Sequence, residues 1–263
     1  MESGSPSEQV FRGSVRLNAK NELGNWKPAG TGFFFTFRQR STEVTCLVTA
    51  AHVVRGKGDI QFLLGQKASN GTLDVSEPLD FVCSSSDFLF HETEDVCLAP
   101  IGRQLNGYLG AGLHPWPFTW HREGLASPEL LSELRWLEDL YMVGCPAGEY
   151  DEVNLIPVAR RVTTATPLQI DYKGRPAFLV DGHIYGGSSG SPVMLINEGA
   201  ILLPGGRGQL GGMRTALLGI LTHAIHDNVD TEIGVGKCVK ATTILDFEPM
   251  IAAKFNLQLE EFG

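Results

Sequence analysis

Short apolar runs, broken by Gly, Asn and Ser, recur along most of this 263-residue chain. Residues 15–17, 32–37, 44–50, 60–64 and 96–101 are rich in Val, Phe, Leu and Thr at strand length. A second set follows at 140–143, 153–158, 177–180, 193–196 and 216–221. Ser69-Asn70-Gly71-Thr72 supplies a turn between two of the first set. No amphipathic helix alternates with these runs, which argues against a parallel sheet with crossover helices. Closed antiparallel barrels are the natural alternative, because closure leaves few strand edges unpaired. Between the two sets, residues 112–140 change character. Pro115, Trp116, Pro117 and Trp120 read as a surface crossing. A short connector helix follows over 127–134, with Ser127 as its N-cap and Pro128 in its first turn. Apolar Ile244, Leu245, Phe247, Ile251 and Phe255 predict a terminal helix, interrupted by Pro249, packed on the second unit. The expected division is a disordered tail over 1–10, an N-terminal barrel over 11–115, and a connector over 116–138. A C-terminal barrel over 139–240 and a helix and tail over 241–263 complete it.

Composition narrows the class. Hydrophobic residues at 43% and charged residues at 19% suit a globular chain with one large core or two modest ones. The net charge is -9, and the basic residues are scattered, which argues against a nucleic-acid groove. No run of 18 apolar residues occurs, so neither a transmembrane helix nor a membrane partner is expected. Residues 1–10 have no basic start and no apolar segment, unlike a signal peptide. Cys46, Cys83, Cys97, Cys145 and Cys238 are odd in number and lack C-x-x-C spacing. They read as small buried apolar residues in a reduced, cytoplasmic protein.

Candidate chemistry gathers in three places. In Gly187-Ser188-Ser189-Gly190-Ser191-Pro192 a hydroxyl sits between glycines, which let the backbone turn tightly and bring its N–H groups near a bound carbonyl. Thr49-Ala50-Ala51-His52 ends an apolar run with an imidazole, and Glu94-Asp95-Val96-Cys97 opens another with a carboxylate. A lone His52 reads as a satisfied strand-end histidine and a lone Asp95 as a turn residue, with Asp87 a rival acid. Together, acid, base and hydroxyl are the parts of an activated nucleophile.

These blocks resemble those of the chymotrypsin-like (trypsin-like) serine proteases: Thr-Ala-Ala-His at 49–52, Asp-Val-Cys-Leu at 95–98 and Gly-Ser-Ser-Gly-Ser-Pro at 187–192. Gly30-Thr31-Gly32-Phe33, Val143-Gly144-Cys145-Pro146 and Gly219-Ile220-Leu221-Thr222 extend the resemblance over about 28 to 245. It implies an all-β fold of two six-stranded antiparallel barrels with a short connector helix and a C-terminal helix. It also implies a catalytic triad of His52, Asp95 and Ser189, with an oxyanion hole from the N–H groups of Gly187 and Ser189. Substrate binding falls to His183, six positions before Ser189 at the pocket floor, to Thr222 and to His223. A histidine at 183 argues against preference for Lys or Arg side chains, which requires an acid there. Ser188 replaces the Asp of vertebrate digestive relatives, and no Ile-Val-Gly-Gly-like activation site occurs. Control is therefore expected from loop ordering or an activating protein partner. With Val53 after His52, the disulfide of extracellular relatives cannot form.

Four other signals are set aside. Gly206-Arg207-Gly208-Gln209-Leu210-Gly211 fits a dinucleotide pattern but precedes strand-like residues, so a mobile hairpin loop is expected. Ser188 as an α/β-hydrolase nucleophile needs its partners downstream, whereas His52 and Asp95 lie upstream. His91, Cys83 and Cys97 match no zinc spacing. Ser3-Gly4-Ser5-Pro6 echoes the nucleophile block in composition alone. The expectation is a serine endopeptidase acting on protein or peptide substrates without metal or cofactor. A protease-like binding module, silent or partner-activated, is the alternative, and an esterase on the same scaffold is a third.

Overall fold

A computed structural model of the chain describes residues 6–21, 23–39, 42–202, 208–226 and 232–257. Strands β1 (Ser14–Lys20), β2 (Trp26–Gln39), β3 (Thr42–Thr49), β4 (Ile60–Lys67), β5 (Leu73–Cys83), β6 (Leu89–Phe90) and β7 (Cys97–Pro100) form one sheet in the order β5-β4-β1-β2-β3-β7-β6. Strands β8 (Asp139–Gly144), β9 (Val158–Thr164), β10 (Ala177–Asp181), β11 (Pro192–Leu202), β12 (Gly208–His226) and β13 (Glu232–Lys240) close into a barrel in the order β10-β13-β12-β11-β8-β9. Every pairing is antiparallel. The second unit has the six strands that the family resemblance implies, while the first spreads its pairing over seven.

Strand β2 explains why the two units pack together. Its run Phe33-Phe34-Phe35-Thr36-Phe37 has apolar residues on both faces, and strand geometry sends alternate side chains opposite ways. Phe33, Phe35 and Phe37 join Met194, Leu217, Ile220, Val239 and Phe247 in a core shared by both units and the C-terminal segment. Phe34 faces the other way, into a core with Leu17, Leu47, Phe62 and Phe81. Fully burying each such side chain contributes about 1.5–3 kcal/mol.

Two α-helices stand where the pattern predicts them. In α4 (Pro128–Glu133) the Ser127 side chain accepts from the Leu130 N–H. After a 3-10 segment at Ala241–Phe247, α5 (Glu248–Phe255) buries Ile251 in the shared core. Several expectations fail. Helix α1 (Pro6–Arg12) stands within the segment read as a disordered tail, because Val10 is buried in the shared core; residues 1–5 lie outside the described residues. The run at 153–158 is mostly turn, with Leu155 left-handed at φ 54° and an Asp151–Ile156 bridge, and strand begins only at Val158. Gly208–Gly211 belong to β12, where Gly211 (φ 74°) forms a bulge, while residues 203–207 of the expected hairpin loop lie outside the described residues. Trp120 is buried, not a surface residue, since its backbone bridges to Phe35 of β2. Two further helices, α2 (Ala51–Val54) and α3 (Gly102–Gly110), complete the fold.

All five cysteines are buried and unpaired. Among the described residues no helix is long and apolar enough to cross a membrane.

Candidate active site

His52 does not end a strand. Strand β3 stops at Thr49, and His52 lies in the single helical turn α2, where the loop before β7 meets it. Asp95 holds this turn through three contacts. Its carbonyl accepts from the Ala51 N–H at 3.2 Å, its Oδ1 accepts from the His52 N–H at 2.9 Å, and its Oδ2 lies 2.6 Å from His52 Nδ1. The carboxylate thus fixes both the backbone and the ring of His52, and requires the ring proton on Nδ1. That leaves Nε2 as the basic nitrogen. Burial raises the Asp95 carboxyl, but hydrogen bonds and charge from His52, with help from His223, outweigh it and hold the group below its ordinary value. Asp95 is therefore ionised wherever His52 is to act. Asp87, the rival acid, is engaged elsewhere, where its Oδ2 accepts from the Ser84 N–H in a capping box.

Ser189 lies in a turn that only glycines allow. Gly187 and Gly190 are left-handed, at φ 86° and 89°. A Cβ on Gly187 would lie 2.5 Å from the Cys145 carbonyl oxygen, and one on Gly190 would collide with the Thr31 carbonyl and the Thr49 hydroxyl. The first unit presses directly on this turn. The Thr31 N–H donates to the Ser189 carbonyl at 2.8 Å, and its hydroxyl donates to the Gly187 carbonyl at 2.9 Å. Thr31 Oγ1 also accepts from the Cys145 N–H at 2.9 Å. Among the described residues, the N–H groups of Gly187 and Ser189 have no acceptor, so both are free to donate.

The hydroxyl of Ser189 donates to the Thr222 carbonyl at 3.2 Å, and no hydrogen bond joins it to His52. The next residue along β12, His223, packs its ring against His52 with centroids 5.2 Å apart, and its Nε2 lies 3.7 Å from Asp95 Oδ2. Residues 222 and 223 thus bring the hydroxyl, the imidazole and the carboxylate to one stretch of β12. Burial, with the nearby His52 and Lys237, holds the His223 imidazole below its ordinary value against the pull of Asp95. Thr222 is buried, and its hydroxyl donates to the Lys237 carbonyl at 3.2 Å. His183 is exposed, not at the base of a closed pocket: its ring stacks on Tyr185 at 6.4 Å, and its carbonyl accepts from Arg160.

Sequence reasoning missed the residues that anchor the acid. Glu94, beside Asp95, is buried and accepts from Arg175 Nε at 3.0 Å and Nη2 at 2.7 Å. The same Nη2 donates to the Thr93 carbonyl at 2.6 Å. From the other side, His91 Nδ1 accepts from the N–H groups of Thr93 and Glu94 at 3.2 and 3.0 Å, and its Nε2 lies 3.0 Å from Asp246 Oδ2. Arg175 precedes β10 and Asp246 belongs to the C-terminal segment, so both partners come from distant sequence. No local signal marks them, since the burial of Glu94 is visible only in the fold.

A family model described as a trypsin-like peptidase domain matches residues 30–202. No curated protein sequence matches the chain. Among solved structures, the chain resembles an HtrA-type protease, AlgW, with a tripeptide, at TM-score 0.52 and 13% identity over 93% of this chain. It spans 61% of that longer chain, and at this identity the likeness bears on the fold. The double-barrel architecture of the chymotrypsin-like proteases and the match across both halves lead to one assignment: this chain belongs to the trypsin-like peptidase family.

Proposed function

We propose that the chain is a serine endopeptidase that cleaves peptide bonds through an acyl-enzyme on Ser189. The observation that carries this reading is the double grip of Asp95 on His52, beside the β12 residue that holds the Ser189 hydroxyl. In the reaction, Ser189 Oγ exchanges the Thr222 carbonyl for His52 Nε2, gives up its proton to that nitrogen and attacks the substrate carbonyl. Asp95 stabilises the imidazolium, which then protonates the leaving amine. The N–H groups of Gly187 and Ser189 receive the oxyanion, each donor being worth about 10²–10³ in rate. Water, activated by His52, then hydrolyses the ester.

Beyond Ile220, β12 pairs with β13 on one side, while its pairing with β11 has ended. Among the described residues, 222–226 therefore offer an open strand edge next to Ser189, suited to an extended peptide. His223 and the exposed His183 would then meet side chains near the cut, favouring polar or acidic groups over basic ones. Five free thiols support a reducing compartment such as the cytoplasm.

A fluorophosphonate probe tests the reading. It should label the wild type and not Ser189→Ala, and Ser189→Ala should lower peptide turnover by about 10⁶. A fall of only a few-fold would rule out Ser189 as nucleophile. A second reading rests on the Ser189–Thr222 hydrogen bond: a module whose nucleophile turns to His52 only when a partner binds. Labelling confined to partner-treated samples would favour it, and labelling without peptide cleavage would point to an esterase.

A further inference from the structure

Asp95 faces two imidazoles, and acyl transfer needs only one. Its Oδ2 lies 2.6 Å from His52 Nδ1 and 3.7 Å from His223 Nε2, with the two rings tilted 39° to each other. Each of the three residues offers a ligand atom, and these atoms lie within 4.8 Å of one another. We propose that His52, Asp95 and His223 form a binding site for a divalent transition-metal cation of the zinc class, whose arrival shuts off His52 as a base. The site itself rests on geometry; its effect on the reaction rests on the protease reading above.

The donor set fits this class of ion. Two imidazole nitrogens and one carboxylate oxygen suit zinc, whereas calcium and magnesium call for shells of oxygen. Tetrahedral zinc with bonds of about 2.0–2.1 Å places its ligand atoms roughly 3.3 Å apart. The shorter carboxylate–imidazole distance must open by about 0.7 Å, the longer must close by about 0.4 Å, and the two imidazole nitrogens, within 4.8 Å of each other, must close by up to about 1.5 Å. Side-chain rotation supplies such shifts, since the His52 and His223 side chains are 44% and 52% exposed. Three protein ligands leave the fourth position to water, on the solvent-exposed side of the two imidazoles. The net charge of -9 draws cations to the molecule, while Lys237, opposite His223 on β13, opposes them locally.

The consequence for His52 follows from proton bookkeeping. A neutral imidazole carries one N–H, which Asp95 now requires on Nδ1. With Nδ1 bonded to the metal, that proton resides on Nε2, so no net proton leaves the ring. Nε2 then has no lone pair for the Ser189 proton.

The test is calorimetric titration of zinc chloride into the full chain, with cobalt(II) absorption reporting tetrahedral nitrogen–oxygen ligation. The expected result is one zinc per chain, with affinity at least ~10-fold weaker in His223→Gln and in His52→Gln. His114→Gln, remote from the cleft, should bind as the wild type does. Circular dichroism of each variant separates lost ligation from lost folding. Zinc should also suppress fluorophosphonate labelling of the wild type, and a chelator should restore it. Unchanged affinity in folded His223→Gln, or no binding by the wild type, overturns the proposal. Zinc binding with the expected variant pattern, but no labelling with or without metal, upholds the site and refutes the protease reading instead.

Discussion

Arg175→Ala removes the cation that faces Glu94, and the structure sets the size of the effect. The Glu94 side chain is 2% exposed and receives two hydrogen bonds from the guanidinium. Removing one partner of a buried ion pair costs about 3–5 kcal/mol, because the other charge is stranded away from water. The Arg175 side chain is 49% exposed, so its hydration offsets part of the loss. The expected cost is therefore about 2–3 kcal/mol. For a chain of this length that lowers Tm by roughly 5–10 °C. Adding Glu94→Gln removes the stranded charge, so the double variant should recover about 1–2 kcal/mol relative to Arg175→Ala. Thermal and urea unfolding of wild type, both single variants and the double variant measure the coupling. A second readout concerns the site. Arg175 also holds the Thr93 carbonyl, two residues before the acid, so Arg175→Ala should slow fluorophosphonate labelling at 25 °C, well below its Tm. Coupling under about 0.5 kcal/mol, or an unchanged Tm, would refute the idea that this pair anchors the acid loop.

Four further outcomes follow. Asp95→Asn should lower turnover by about 10⁴, since an amide no longer enforces the tautomer with basic Nε2. The Asp95 carboxyl lies below its ordinary 3.8, so the stability it adds is whole above that value and is lost as pH falls through the lower, folded one; unfolding of wild type and Asp95→Asn should differ above 3.8 and converge only below it. Gly190→Ala forces a Cβ into the Thr31 carbonyl at a left-handed position, so the soluble variant should lose about 3 kcal/mol or more in urea unfolding, together with probe labelling. Burial pushes all five thiols up, Cys83 and Cys145 to about 12, so iodoacetamide at pH 8 should modify none of them in the folded chain and all five in urea, as counted by mass spectrometry.

Much of the fold was legible because its signals are local. Runs such as 44–50 and 216–221 carry their β preference in consecutive residues, and Ser127-Pro128 announces α4 by cap chemistry alone. Strand β5 was overlooked although Leu79, Phe81 and Cys83 point inward in strict alternation; Pro78 and the acidic Asp74, Glu77 and Asp80 masked it. Strand β13 escaped because Gly234 and Gly236 dilute its apolar run. The run at 153–158 misled for the opposite reason: its exposed Val153 and Ile156 are apolar without being core. At the site, the blocks holding His52, Asp95 and Ser189 could be found in the sequence, since each sits in a distinctive string. Their supports could not. Arg175 reaches Glu94 across 81 positions and His91 reaches Asp246 across 155, and neither pair leaves a mark in neighbouring residues. Nor does spacing say that Ser189 rests on Thr222, or that His223 shares the acid.

Thr31 lies in the first unit, yet its N–H and hydroxyl hold the Ser189 and Gly187 carbonyls of a turn in the second. The serine's turn is thus finished by a residue its own barrel does not contain. Fragments divided within the 116–138 connector would part that contact, the C-terminal piece keeping Ser189 without Thr31. Mixing them ought to revive labelling only as fast as they reassociate, making the chain a natural candidate for a split reporter whose signal is the meeting of its halves.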